Sequence, residues 1–168
     1  MSHASPQSAG DWTPAQIQEV IDTYESMPGA MLPTLHAIQE RFGHIPEAAV
    51  PIIAESLRHT RAEVHGIISF YHHFRTQPPG RNVVQICRAE ACQSRGSRQL
   101  ENHVKAVLGV DYHHTTADRE FTLEPVYCLG NCACGPTIRI NDEIHGRMTE
   151  AKFDRLAEQS TATVVEVK

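Results

Sequence analysis

Two pairs of cysteines carry the chemistry most legible in this chain. Cys87 and Cys92 are spaced C-x4-C, Cys128 and Cys132 are spaced C-x3-C, and each pair stands where a short apolar run gives way to a loop. Thiolates are soft donors that select zinc or iron–sulfur centres over calcium, magnesium or manganese, and four of them can close around one centre. Structural zinc sites favour C-x2-C knuckles, which bring two sulfurs to one ion from a single tight turn. The chain contains no C-x2-C. The wider gaps suit a two-iron cluster, in which each iron takes two protein sulfurs, while zinc and plain thiol chemistry stay open on spacing alone. A thioredoxin-type redox pair needs C-x-x-C, and a plant-type ferredoxin would need a third cysteine at Arg95. A Rieske centre would need histidines beside the cysteines, yet the nearest, His103 and His145, lie well away in sequence.

The surroundings of the pairs carry their own expectations. Gly130 and Gly135 suit close approach of backbone to a centre, or positive φ. Arg88 and Arg95 sit in or beside the first pair, where either offsets negative charge on a cluster or lies on the solvated surface. Cys134 is left over: an alternative ligand, a neighbouring thiol or a small apolar filler.

Positioning these residues requires rigid elements, and the second half of the chain supplies them. Asn82–Cys87 reads as a buried strand, Ser97 as the cap of a helix running to about Gly109 with Leu100, Val104, Val107 and Leu108 in one stripe, and Phe121–Tyr127 as the next strand. Thr137–Ile140 and Glu143–His145 form a hairpin over Asn141-Asp142, and Thr149 caps a last helix carrying Phe153 and Leu156. The order β-α-β-β-β-α predicts a small open sheet with helices packed on it. The first half reads as four short amphipathic helices, and so as a helical bundle. Thr13, Pro14 and Gln16 start one that runs to about Met27; the second carries Leu32, Leu35, Ile38 and Phe42 and closes at Gly43. The third covers about Pro46–Arg58, and the fourth starts at Thr60 with Glu63, turning Val64, Ile67, Ile68 and Phe70 inward. Phe70, Tyr71 and Phe74 are expected in the core rather than as a patch for a partner. His65, His72 and His73 read as ordinary surface or core histidines, because adjacent histidines point to different faces of a helix. Pro78, Pro79 and Gly80 mark the boundary, giving a disordered lead-in at 1–12, a helical unit at 13–78 and a cysteine-bearing unit at 79–168.

From Val83 to Met148 the chain resembles the thioredoxin-like 2Fe-2S ferredoxin family, which includes the small 2Fe-2S subunit of respiratory complex I. The residues that carry the resemblance are Cys87, Cys92, Cys128 and Cys132, matching the family's C-x4-C and C-L-G-x-C, together with the segments 35–43 and 64–74. Within the family, Cys87-Arg-Ala-Glu-Ala-Cys92-Gln93, Leu123–Gly130 and Ile144-His-Gly-Arg147 most resemble the gamma subunit of cytosolic NAD-dependent, molybdenum-containing formate dehydrogenases. The resemblance implies an α+β protein with a thioredoxin-like domain, in which those four cysteines hold one 2Fe-2S cluster. It implies a non-catalytic electron-transfer subunit beside a subunit that binds FMN and NAD, with further iron–sulfur clusters and a molybdenum cofactor on a larger subunit. The net reaction of such a complex is formate plus NAD+ to CO2 plus NADH, and the corresponding subunits of NAD-reducing hydrogenases and complex I share most of these features.

The rest of the sequence narrows the function classes. No dinucleotide fingerprint, phosphate loop or flavin motif occurs, so chemistry at either end of an electron path falls to other subunits. A net charge of −5 and scattered arginines give no nucleic-acid footprint. Without a secretory signal or an apolar run of membrane-spanning length, the chain is expected to be soluble and cytoplasmic. Five cysteines, an odd number, argue against a disulfide scaffold. Two readings of other classes remain: a zinc-stabilised interaction module, and a thiol–disulfide enzyme using Cys132 and Cys134.

Overall fold

Two threonines set helix starts in the first half as their side chains dictate. In the computed structural model of the protein, which describes residues 12–162, the Gln16 N–H donates to the Thr13 hydroxyl at 3.3 Å and Thr13 N–H donates to Gln16 Oε1 at 2.8 Å. This reciprocal capping box opens α1 (Pro14–Tyr24), and a second, between Thr60 and Glu63, opens α4 (Arg61–Phe70). Between them lie α2 (Met31–Phe42), closed by Gly43 at φ 78°, and a 3-10 turn at Glu47–Ala49 that leads into α3 (Val50–Ser56). The expected lead-in falls outside the described residues except for Trp12.

Two helix boundaries differ from the sequence reading. α1 stops short of Met27, because Pro28 disfavours helical geometry at the residue before it. The third helix begins at Val50 rather than near Pro46, with Pro51 in its first turn, where a missing N–H leaves no bond unmade.

Chain contacts divide the protein into two units, 1–78 and 79–168. In the first, α1 packs on α2 and α3, and α3 on α4, around Ile17, Ile21, Leu35, Ile38, Ile53 and Val64. Phe74 joins this core, but Phe70 and Tyr71 do not: Phe70 is 73% exposed and Tyr71 42%. Phe70 follows Ile68 by two residues, about 200° round the helix from the buried stripe. His65, His72 and His73 are exposed.

The second unit is a five-stranded sheet in the order β2-β3-β1-β4-β5, formed by β1 (Asn82–Cys87), β2 (His114–Thr115), β3 (Phe121–Val126), β4 (Ile138–Ile140) and β5 (Glu143–His145). Its helices are α5 (Glu90–Gln93), α6 (Ser97–Leu108) and α7 (Glu150–Ala162). Two elements are additions to the sequence reading, the two-residue β2 and the single-turn α5, both too short for hydrophobic periodicity to register. Val84, Ile86, Leu123 and Ile138 of the sheet bury against Leu100 and Val104 of α6 and Phe153 of α7. Val107, expected in the apolar stripe of α6, is 51% exposed and lies outside the core.

β1 and β3 are parallel, in register from Asn82↔Phe121 to Cys87↔Val126. Both strands therefore end at one edge of the sheet, and the segments bearing the two cysteine pairs leave it side by side. Helices and sheet together make an α+β protein. Among the described residues no helix is long and apolar enough to cross a membrane.

The Thr60 cap gives the fold a measurable pH dependence. Hydrogen bonds from the Thr60 backbone N–H and then its hydroxyl hold the Glu63 carboxyl below its ordinary 4.5. A carboxyl depressed in the folded state stabilises above its unfolded pKa, and that contribution is lost as pH falls through the folded value. Glu63→Ala should unfold at lower urea than the parent at pH 7, with the gap narrowing at pH 3; a gap of equal size at both pH values would contradict the assignment.

Candidate metal centre

Cys87 is the last residue of β1 and 2% exposed, and its backbone is held on both sides. Its N–H donates to the Thr137 carbonyl at 3.0 Å, and its own carbonyl accepts from the Ser97 hydroxyl at 2.5 Å. Ser97 is thus not the helix cap expected from sequence. The chain turns into α6 at Gly96, whose φ of 95° suits glycine, and this puts Ser97 inside the helix with its hydroxyl free for Cys87.

Cys92 lies on α5 and is 1% exposed. The Cys92 and Gln93 N–H groups both donate to the Ala89 carbonyl at 2.9 Å, and Gln93 Nε2 donates to the Arg88 carbonyl at 2.6 Å. This single turn folds the C-x4-C segment back so that Cys92 comes beside Cys87. Burial pushes the Cys92 thiol up, and hydrogen bonding and charge from Cys87 push it further, while donors from Thr137 pull it down.

The second pair is exposed. Cys128 Sγ and Cys132 Sγ are 3.9 Å apart, and the Gly130 N–H donates to Cys128 Sγ at 3.3 Å from a backbone with φ 75°. A hydrogen bond with Cys128 and then its charge raise the Cys132 thiol, with burial and the charge of Cys87 adding to the rise.

Two glycines let the loops close. A Cβ on Gly135 would stand 3.3 Å from Cys92 Sγ and 3.2 Å from Arg95 Cδ, so this glycine seats the second loop against the first. A Cβ on Gly146 would lie 2.6 Å from Asn131 Nδ2 and 2.9 Å from the Cys134 carbonyl oxygen, so the end of β5 packs directly on the second loop. Arg147 N–H donates to that carbonyl at 2.6 Å. Cys134 is half-buried, with its Cβ against Gly146.

The arginines do different work from that expected. Arg95 Nη1 donates to the Ala133 carbonyl at 3.1 Å, tying the segment after Cys92 to the second loop. Arg88 turns to α6, where its Nε lies 3.1 Å from Glu101 Oε2, and the carboxylate raises the pKa of the guanidinium. Ser97, Thr137, Glu101 and Gly146 are not legible in the sequence as site residues, because their roles depend on contacts distant along the chain. Gly146 alone leaves a trace there, inside the segment Ile144-His-Gly-Arg147.

The donor set suits a centre with two metal positions. Two thiolates about 2.3 Å from one tetrahedral metal stand about 3.8 Å apart, close to the separation of the Cys128 and Cys132 sulfurs. Among the described residues no three His, Cys, Asp or Glu side chains stand grouped as they would around a metal ion. The rise that Cys87 imposes on Cys92, and Cys128 on Cys132, is what a bound cation would relieve.

A family model described as thioredoxin-like 2Fe-2S ferredoxin matches residues 17–161. One component of the NADH-quinone oxidoreductase of Pseudomonas aeruginosa is 34% identical over 132 residues, covering 79% of this chain and 80% of its own. Its counterpart in the NADH-quinone oxidoreductase of Rhizobium meliloti is 33% identical over 147 residues, 88% of each chain. The HndA component of the NADP-reducing hydrogenase of Solidesulfovibrio fructosivorans is 28% identical over 142 residues, 83% of each. Among solved structures, an air-oxidized NAD+-reducing NiFe-hydrogenase matches 83% of this chain with a TM-score of 0.69 at 24% identity. The match occupies 24% of that longer chain, and the likeness is one of fold.

The packing at Gly146 can be tested directly. Gly146→Ala should destabilise the protein by about 1–3 kcal/mol in thermal or urea unfolding, because the methyl meets the Cys134 Cβ and carbonyl oxygen, which cannot swing aside, as well as the Asn131 side-chain amide. An unchanged midpoint would mean that the second loop is not held there.

Proposed function

The chain belongs to the thioredoxin-like 2Fe-2S ferredoxin family, and from that premise we propose that Cys87, Cys92, Cys128 and Cys132 hold one 2Fe-2S cluster in an electron-transfer subunit of an NAD-linked oxidoreductase complex. The observation that supports the reading is that the segments bearing the two thiol pairs leave the parallel strands β1 and β3 side by side, one pair buried and the other exposed. A 2Fe-2S cluster ligated by four thiolates takes up and returns one electron and offers no open position to substrate. The chain's own residues fix the donors: Ser97 and Thr137 hold Cys87, α5 places Cys92, and Gly130 directs an N–H at Cys128. Exposure of the Cys128–Cys132 segment leaves that side open to a redox partner.

By the family resemblance, the neighbouring partner is a subunit binding FMN and NAD, in keeping with relatives that are subunits of an NADH-quinone oxidoreductase and an NADP-reducing hydrogenase. Within that class we assign the chain to an NAD-dependent formate dehydrogenase, alongside a large subunit with further iron–sulfur clusters and a molybdenum cofactor. Support comes from the three segments that resemble its gamma subunit. In this structure they form the first cysteine turn, the β3 end with the second loop, and the β5 end that packs on that loop. The place of action is the cytoplasm, where thiols stay reduced.

Anaerobic purification should give about two irons and two acid-labile sulfides per chain and, after dithionite reduction, an S = 1/2 EPR signal. Cys87→Ser or Cys128→Ser should abolish or alter that signal, whereas stoichiometric zinc without a signal would make the centre structural. Formate-driven NAD+ reduction by the complex purified through this chain should settle the substrate; NADH:quinone or hydrogen-driven activity in its place would move the chain to one of the sister complexes.

A further inference from the structure

We propose that Glu101 is an electrostatic positioning residue for the cluster: it holds the Arg88 guanidinium against α6, so that a positive charge one residue from Cys87 stays compensated. The inference rests on the cluster reading above and concerns how this chain sets the cluster's reduction potential.

Glu101 is 9% exposed, and carboxylates are rarely buried this far unless paired. Both its oxygens are engaged, Oε2 with Arg88 Nε at 3.1 Å and Oε1 with Lys105 Nζ at 2.9 Å. Lys105 has a further carboxylate, Asp111, at 2.9 Å. Arg88 and Lys105 also flank one aromatic ring, lying 5.3 Å and 4.2 Å from the Tyr112 centroid. The Arg88 backbone is fixed at the junction of the two cysteine segments, its N–H donating to the Val126 carbonyl at 2.7 Å and its carbonyl accepting from Gln93.

A guanidinium keeps its charge at any working pH, so its influence on a neighbouring anion is set only by where it points and what pairs with it. Potentials of iron–sulfur centres respond to local charge and to hydrogen bonds at sulfur. As a device for stability the pair would be poorly chosen, because the Arg88 side chain is 39% exposed and ion pairs open to solvent contribute little. Placed beside Cys87, it sets the charge at the centre.

The test is a redox titration, followed by EPR, of the full chain loaded with its cluster. Glu101→Gln should raise the midpoint potential, increasing the reduced-to-oxidised ratio at a fixed poise by on the order of three- to tenfold. Arg88→Gln should lower it, the double variant should return near wild type, and Glu101→Asp should stay near wild type. An intact signal with an unmoved potential in both single variants would overturn the proposal and leave a structural ion pair. If Glu101→Gln fails to load, Arg88→Gln decides alone, and an unmoved potential there overturns it. Absence of a cluster from the wild-type chain would be a different failure, that of the site assignment itself.

Discussion

The site depends on one register. Because β1 and β3 run parallel with Cys87 opposite Val126, both strands end at the same edge and their continuations emerge as neighbours. Parallel pairing demands a crossover, and α6 supplies it while burying Leu100 and Val104 on the sheet. A slip of one residue would turn Val84 and Ile86 away from that helix and carry Cys87 to the other face. The hydrophobic core and the neighbouring exits of the two cysteine segments are thus consequences of the same pairing.

Backbone, more than side chains, fastens the thiols within that frame. Cys87 is bonded through both its N–H and its carbonyl, and the Ala89 carbonyl closes the turn that carries Cys92. Gly135 and Gly146 bring main chain where a methyl group would collide. Sites held this way keep their geometry without relying on long, entropically costly side chains. The exceptions are Arg88 and Arg95: Arg88 is directed to Glu101 on α6, and Arg95 to the Ala133 carbonyl in the second loop.

How much of this the sequence discloses follows from how local each signal is. Both N-terminal capping boxes, the Gly43 cap, the buried strand ending at Cys87 and the Glu143–His145 strand depend on a few adjacent residues, and each is readable. α5 and β2 are not, since one turn or two residues carry no periodicity. Ser97 misleads because its hydroxyl finds a carbonyl ten positions back instead of its own helix terminus. Phe70 misleads because its apolar side chain outweighs its angular position on α4. The cysteine spacing points to a two-metal centre, but the division into a deep and a shallow pair comes only from the fold.

That division gives the centre a direction. Cys87 and Cys92 lie under the sheet's end and its helical turn, whereas Cys128 and Cys132 stand in solvent. Reagents from solvent therefore reach the sulfurs of the second loop before those of the first. If the four thiols hold one cluster as proposed, its accessible side is the exposed pair, and the pair built into the end of the sheet is the sheltered one.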